Sequence, residues 1–336
     1  MARQCGIVMT LSVVGALLAS CSDPLIPVGA VGHVQKYFGG VAAAEPRAAL
    51  VGRDVLSAGG TAADAVVAMS LAMMVTRPDA AGAGGGGVCV VYASKDNKAE
   101  ALEFMPHVSR TPPEAGRWVG TVPGSFRGLF ALSARYGVLR WEQLIQPAEN
   151  MARFGMQIPR SLARSLADHG ETVLKDPKAR LIFADGDGHA LGEGARIRQL
   201  ELAGLLGRIR SAGPGDFHEG PFTRQYLDAV AAAGGWLTME DMRNYRPVWT
   251  DTVQLPAGNH MLHFPPSPAL GAVVTAGIWR ELGDKSGFSS ADPASQAIMM
   301  VNAARKAQRD ALAPQSSGNG SVGAVALDAN GNAAAC

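Results

Sequence analysis

Apolar positions fall into blocks whose spacing changes along the chain. Residues 65–75 are apolar on nearly every face of a helix, which predicts a helix buried between layers. Thr61-Ala-Ala-Asp64 marks its start: the hydroxyl accepts from the first turn and the carboxylate sits at the positive helix end. Pro78 stops it. Residues 88–92 and 99–104 are short apolar runs joined by a polar turn, the pattern of a hairpin. Amphipathic spacing predicts helices over 124–136, 141–154 and 197–212. A further helix runs over 221–233, with Pro221 at a first helical position and Gly234-Gly235 closing it. Thr238-Met-Glu-Asp241 restarts a short helix as a second capping box, 252–266 alternates like a strand, and 289–310 returns to helix. Between residues 50 and 310 there is neither an internal repeat nor a linker. This stretch predicts one continuous body of helices and strands.

The last pattern is the most informative. A loose Ser/Gly/Asn stretch over 312–320 runs into Ser321, which opens an apolar strand over 322–327. That strand ends in Asp328-Ala-Asn-Gly-Asn332, whose Asn-Gly pair favours a hairpin. A hydroxyl at the head of a buried strand, reached by a flexible linker, is what a self-cleaving N-terminal-nucleophile hydrolase requires. Cleavage between Gly320 and Ser321 would free an α-amine to serve as the base for the Ser321 hydroxyl, because its pKa lies nearer neutrality than that of lysine. The return strand has barely begun at Cys336, so most of a catalytic half is expected to be missing.

Composition sharpens the class and the address. A chain of 336 residues with 47% hydrophobic residues has ample material for a packed core. A net charge of +1 gives no reason to expect nucleic acid as partner. Arg3 precedes an apolar run over 6–18 that is too short for a membrane span and suits a secretory signal. Its ending, Leu18-Ala-Ser-Cys21, resembles the lipobox of bacterial lipoproteins. That resemblance implies removal of residues 1–20, a lipid on Cys21, a tether over 21–40, and attachment on the periplasmic side of the envelope. An ordinary cleaved signal and a periplasmic protein are the alternative. Cys89 and Cys336 then remain, with a weak case for a disulfide or a metal, and Cys89 is expected as a small core residue.

Other constellations carry less. Gly82-Ala-Gly84-Gly-Gly-Gly87 fits G-x-G-x-x-G, but a helix precedes it and a strand follows, the reverse of a dinucleotide fingerprint. A turn where backbones approach closely is expected instead. His260 and His263 match no zinc spacing, and Asp185-Gly-Asp-Gly188 lacks the acidic twelfth ligand of a calcium loop. No cofactor or metal is therefore expected.

The run from Ala58-Gly-Gly-Thr61 through Asp64 to Ala68, Val75-Thr-Arg-Pro78 and Gly84–Gly87 resembles the start of the γ-glutamyltranspeptidase family. Gly120-Thr-Val-Pro-Gly124, Tyr136-Gly137, Gln146-Pro-Ala148, Met151-Ala-Arg-Phe-Gly155, Gly213-Pro-Gly-Asp-Phe217, Gly234-Gly235 and Pro265-Pro-Ser-Pro268 continue in family order. The resemblance implies an α+β fold, the αββα four-layer sandwich of N-terminal-nucleophile hydrolases, incomplete in this chain. It implies a precursor that cleaves itself into a large subunit, residues 41–320, and a small subunit starting at Ser321. The implied activity moves a γ-glutamyl group from glutathione-like amides to water or an amine.

Departures accompany the resemblance. Serine stands at 321 where the family has threonine. Met105 stands where the family's arginine would clamp the donor carboxylate, in Phe104-Met105-Pro106; Arg110 and Arg117 are nearby but match no motif. The small-subunit region ends early, so the chain alone is expected to be inactive. Two rival readings are a non-catalytic envelope lipoprotein of the same fold and a split large subunit that pairs with a separate small subunit.

Overall fold

Thr61 and Asp64 fix where the central helix begins, and much of the fold is tied to that point. The computed structural model describes residues 39–110, 116–283, 287–311 and 321–336. The signal segment, Cys21, nearly all of the tether and Gly320 lie outside the described residues. Helix α1 spans Pro46–Ser57 and α2 spans Ala62–Thr76. The capping box is formed in full, with Thr61 N–H donating to Asp64 Oδ2 at 3.0 Å and Asp64 N–H to Thr61 Oγ1 at 3.2 Å. The same carboxylate oxygen accepts from the Val138 and Leu139 amides at 2.9 and 3.2 Å, which fastens a distant loop to the helix start. Every residue of α2 but Ser70 is buried, as its pattern predicts. Each larger side chain, such as Met69, Leu71 or Met73, contributes about 2 kcal/mol by leaving water.

Six strands form one antiparallel sheet: β1 (Gly39–Ala43), β2 (Val88–Ala93), β3 (Lys98–Glu103), β4 (Val248–Asp251), β5 (Ala324–Asp328) and β6 (Ala333–Ala335). Their spatial order is β1-β5-β6-β2-β3-β4. The predicted hairpins β2–β3 and β5–β6 are both present. Register aligns Val41 with Ala326, Ala326 with Ala334, Ala334 with Val91, and Cys89 with Leu102. These residues form the inner face, where alanines let α2 sit close to the strands. Asp328 locks the arrangement. Its Oδ1 accepts from the Asn330 and Asn332 amides within the turn, and its Oδ2 accepts from Ala62 N–H, the first residue of α2, at 3.1 Å.

Helices α3 (Ser125–Tyr136), α4 (Trp141–Phe154), α5 (Arg160–Val173) and α6 (Leu200–Ala212) extend the helical part, and α7 (Leu270–Leu282) pairs with α8 (Pro293–Asp310). Helices and antiparallel strands separate into layers, an α+β fold.

Four expectations change. The 197–212 helix starts only at Leu200, because Arg196–Ile197 pairs as a short strand with Met156–Gln157. The 252–266 strand is a hairpin, Val253–Ala257 with His260–Phe264, reversed at Gly258, whose φ is +57°. Helices α1, α5 and α7 and strands β1 and β4 are not foreshadowed by the apolar spacing, and β1 takes Gly39 and Gly40 out of the expected tether. Cys89 is buried as expected, but its sulfur is bridged to Cys336: the return strand β6 lies between β5 and β2 and brings Cys336 opposite Cys89.

Candidate active site

Because neighbouring strands run in opposite directions, one end of the sheet gathers the head of β5, the tail of β6, the start of β2 and the tail of β3. Ser321 lies at that end. It is exposed, while Val322 beside it packs on the core. Its hydroxyl makes no hydrogen bond with the described residues. The backbone that carries it is held on both sides: Ala44 N–H donates to Gly323 O at 3.0 Å, and Ala324 and Cys336 exchange two bonds of 2.9 Å.

The glycine run lies at the same end. Phe104 N–H donates to Gly87 O at 2.9 Å, and Gly85 O accepts from Gly124 N–H at 2.8 Å and from Ser125 N–H at 3.2 Å. A Cβ at Gly86 or Gly124 would collide with the Phe104 carbonyl oxygen. The run is the close backbone approach expected of it, and it ties the start of α3 to β2 and β3.

Met105 follows β3. Its N–H donates to Glu103 Oε1, and its carbonyl accepts from Tyr245 Oη, both at 3.0 Å. Tyr245 is buried between His107 and His218, with ring centroids 5.2 and 5.7 Å away. Burial pushes its hydroxyl well above the usual tyrosine range; the Glu103 charge adds to the rise and Arg127 opposes it. His218 is driven the other way. Burial first and the Arg127 charge second hold its imidazole down at about 4, against the pull of the Pro123 and Pro214 carbonyls.

Arg110 and Arg117 follow Met105 along the chain. Arg117 donates to Gly235 O at 3.3 Å and lies over the Trp236 ring. Arg110 lines a polar groove of about 270 Å³ with His107, Glu240, Asn244 and Tyr245, the tyrosine that donates to the Met105 carbonyl. Ser321 and Met105 thus share an end of the sheet without touching. Three strand spacings separate their strands, roughly 14 Å.

Among the remaining sequence candidates, Asp185 and Asp187 bring exposed ligand atoms within 4.8 Å of one another and of His189. Asp185 Oδ1 accepts from the Asp187 and His189 amides in a tight exposed turn, and His263 Nδ1 meets Thr252 Oγ1 at 2.9 Å. Sequence reasoning missed the arginines beside β1: Arg47, Arg160 and Arg164 line one groove. The four-residue spacing of the last two after Pro159 was a usable signal.

Comparison with known proteins bears directly on this arrangement. The sequence profile described as Gamma-glutamyltranspeptidase matches residues 48–314. Glutathione hydrolase 3 of Arabidopsis thaliana is 33% identical over 263 residues, covering 75% of this chain and 41% of that protein. The glutathione hydrolase proenzyme of Bacillus subtilis (strain 168) is 34% identical over 241 residues, covering 63% of this chain and 40% of that protein. The chain therefore spans about two-fifths of the length of these relatives. The crystal structure of Helicobacter pylori gamma-glutamyltranspeptidase superposes with a TM-score of 0.75 at 26% identity, over 82% of this chain and 83% of that one. The layered helices and sheet are accordingly the fold of N-terminal-nucleophile hydrolases, and the chain belongs to the gamma-glutamyltranspeptidase family.

Proposed function

We propose that this chain is part of a precursor that cleaves itself before Ser321 and then hydrolyses or transfers γ-glutamyl-type amides. The observation that carries the reading is the position of Ser321: exposed, at the head of a central strand, just past the residues that match the family. In the cleavage, the Ser321 hydroxyl attacks the Gly320 carbonyl carbon and the peptide C–N bond breaks, leaving an ester and a free α-amine. Water hydrolyses the ester, giving a Gly320 carboxylate and a free Ser321. In turnover, the hydroxyl attacks the substrate carbonyl while the α-amine takes its proton. That proton passes to the leaving amine, and water or a second amine then attacks the acyl ester.

The boundary of 41–320 and 321–336 for large and small subunits belongs to this reading. The outer face of the sheet supports a further layer: Val325, Leu327 and Val248 are exposed there. For the polypeptide 1–336 by itself, intact-mass measurement should give one uncleaved species with no amidase activity. Losing even one oxyanion donor costs about 10²–10³ in rate, and Ser321 stands exposed at its end of the sheet. In a completed precursor, cleavage should be abolished by Ser321→Ala and retained by Ser321→Thr. Cleavage that survives Ser321→Ala would remove Ser321 as nucleophile.

Met105 bears on specificity. A thioether cannot pair with a carboxylate, so a γ-glutamyl donor forgoes a charge-assisted contact worth roughly 1.5–3 kcal/mol. The completed enzyme should use glutathione poorly, and Met105→Arg should raise its kcat/KM by about tenfold or more; efficient glutathione hydrolysis without the substitution contradicts this.

Anchoring through Cys21 completes the proposal. Cys21→Ala should abolish detergent-extractable membrane association, and equal association of the variant refutes lipidation.

A further inference from the structure

The bridge between Cys89 and Cys336 closes at the end of the sheet where Ser321 stands. Cys336 follows β6, and its N–H and carbonyl exchange two bonds of 2.9 Å with Ala324, which lies three residues after Ser321. On the other side of β6, Ala335 pairs with Val90, which sets Cys336 opposite Cys89. Cys89 is wholly buried in β2. The bridge therefore fastens Cys336, and through it the head of β5, to the core.

The same bridge spans the point of cleavage. Cys89 precedes the Gly320–Ser321 bond and Cys336 follows it, and in this chain Cys336 is the one cysteine after Ser321. Once that bond is cut, Ser321 becomes a chain terminus, and termini fray unless they are tied down. The non-covalent contacts left to hold it are slight. Ala324, Ala326 and Ala334 are buried, but each removes only one methyl from water, the smallest gain an apolar side chain offers. Around them are backbone bonds to β1 and β2, and Asp328 and Asn332 accept from the Ala62 and Ser94 amides. Such bonds contribute little net, because water replaces them when they open. A covalent link away from the cut peptide makes rejoining of the two pieces a step within one molecule, at an effective concentration that dilution does not lower.

We propose that the Cys89–Cys336 bridge is an inter-subunit tether: it joins the two products of cleavage covalently and keeps the freed Ser321 at its end of the sheet. The assignment rests on the reading of Ser321 as the cleavage point, but the bridge itself does not need the cleavage. It forms by thiol–disulfide exchange. The two thiols give up two protons and two electrons to a disulfide oxidant, which leaves as two thiols, and one S–S bond joins Cys89 to Cys336. The tether is therefore made in an oxidising compartment and undone by a reducing thiol.

The test uses the 336-residue chain carrying Cys5→Ser and Cys21→Ser, so that only this pair is left to bridge. A recognition sequence for a specific protease replaces residues 312–320, and the folded, oxidised chain is cut there. Intact mass in denaturant should show one joined species, which dithiothreitol splits into two. Cys336→Ser should give two species without reductant. In native buffer the cut parent should keep its short piece through gel filtration after about hundredfold dilution, and the same sample reduced after cutting should lose most of it. Because reduction follows folding, this arm does not depend on how well a variant folds. Two masses from the parent without reductant remove the bridge, and equal retention before and after reduction removes its role as a tether. In a completed precursor, autocleavage should likewise leave one mass that reduction splits in two. A completed precursor that stays uncut at Ser321 overturns the assignment to subunits, while the protease-cut chain still reports separately whether the bridge holds β5.

Discussion

The two faces of the six-stranded sheet are built from the same strands and meet opposite surroundings. On the inner face Ala324, Ala326, Ala334 and Cys89 are closed over by α2. On the outer face Val325 and Leu327, the residues that alternate with those alanines, are 47% and 39% exposed. Bulk is distributed against simple expectation: the smaller residues are buried and the larger aliphatic ones are bare. Small side chains let a fully apolar helix approach the strands, whereas the larger ones suit a second apolar layer. Strand β5 is apolar on both faces and follows Ser321 directly, so the layer each face meets decides how Ser321 is held.

If the inner face governs stability, breaking it should cost far more than altering the outer one. The largest effect is expected at the bridge between β2 and β6. Cys336→Ala opens a covalent loop with a sequence separation of 247 residues and should cost up to about 5 kcal/mol in the chain-entropy account. The midpoint of urea unfolding in oxidising and reducing buffer measures it, and reduction should have no further effect on the variant.

Next comes acid. His218 is held at about 4 in the folded chain against an ordinary 6.5, so the unfolded chain binds the proton first as pH falls. Stability from this group is complete above about pH 6.5 and is lost progressively down to about 4, by roughly 3 kcal/mol. His218→Gln should flatten that part of the urea-midpoint profile. An unchanged slope would place the acid sensitivity elsewhere.

A direct contrast of the faces is smaller still. Ala326→Leu forces extra methylenes under α2 and should cost about 2 kcal/mol, whereas Leu327→Ser, one residue on, should stay within about 0.5 kcal/mol. Leu327→Ser should also lower binding of a hydrophobic dye. Equal costs at 326 and 327 would mean that the outer face is covered in this polypeptide.

Legibility in the sequence followed the range of the interaction. The central helix was readable because residues apolar on all sides have no stable place but the interior, and the Thr61–Asp64 box acts within one turn. The strand that follows Ser321 and the Asp328–Asn332 turn were readable for the same reason: the apolar run and the Asn-Gly reversal are contiguous. The hairpin at 253–264 was misread because its two arms continue a single alternation across Gly258, and only the partner strand distinguishes one long strand from two short ones. Helix α1 was missed although Glu45 caps it, since its apolar pattern is broken by Arg53 and Asp54 on the exposed side. The arginines of the groove come from the start of α1 and the start of α5, and no local spacing announces that these two helices meet.

The sequence by itself determined which segments are helix or strand where their apolar spacing is strong, where the central helix starts, and that a hydroxyl stands at the head of an apolar strand. The tertiary structure alone decided that β6 inserts between β5 and β2 and joins Cys336 to Cys89, that Asp328 reaches across to cap Ala62, and that Ser321 lies between the Met105 corner and a cationic groove. The physical reason is that periodicity and capping are interactions of neighbours along the chain. Strand order, disulfide pairing and the convergence of charges depend on which distant surfaces exclude water together, and that is settled only when the whole core packs.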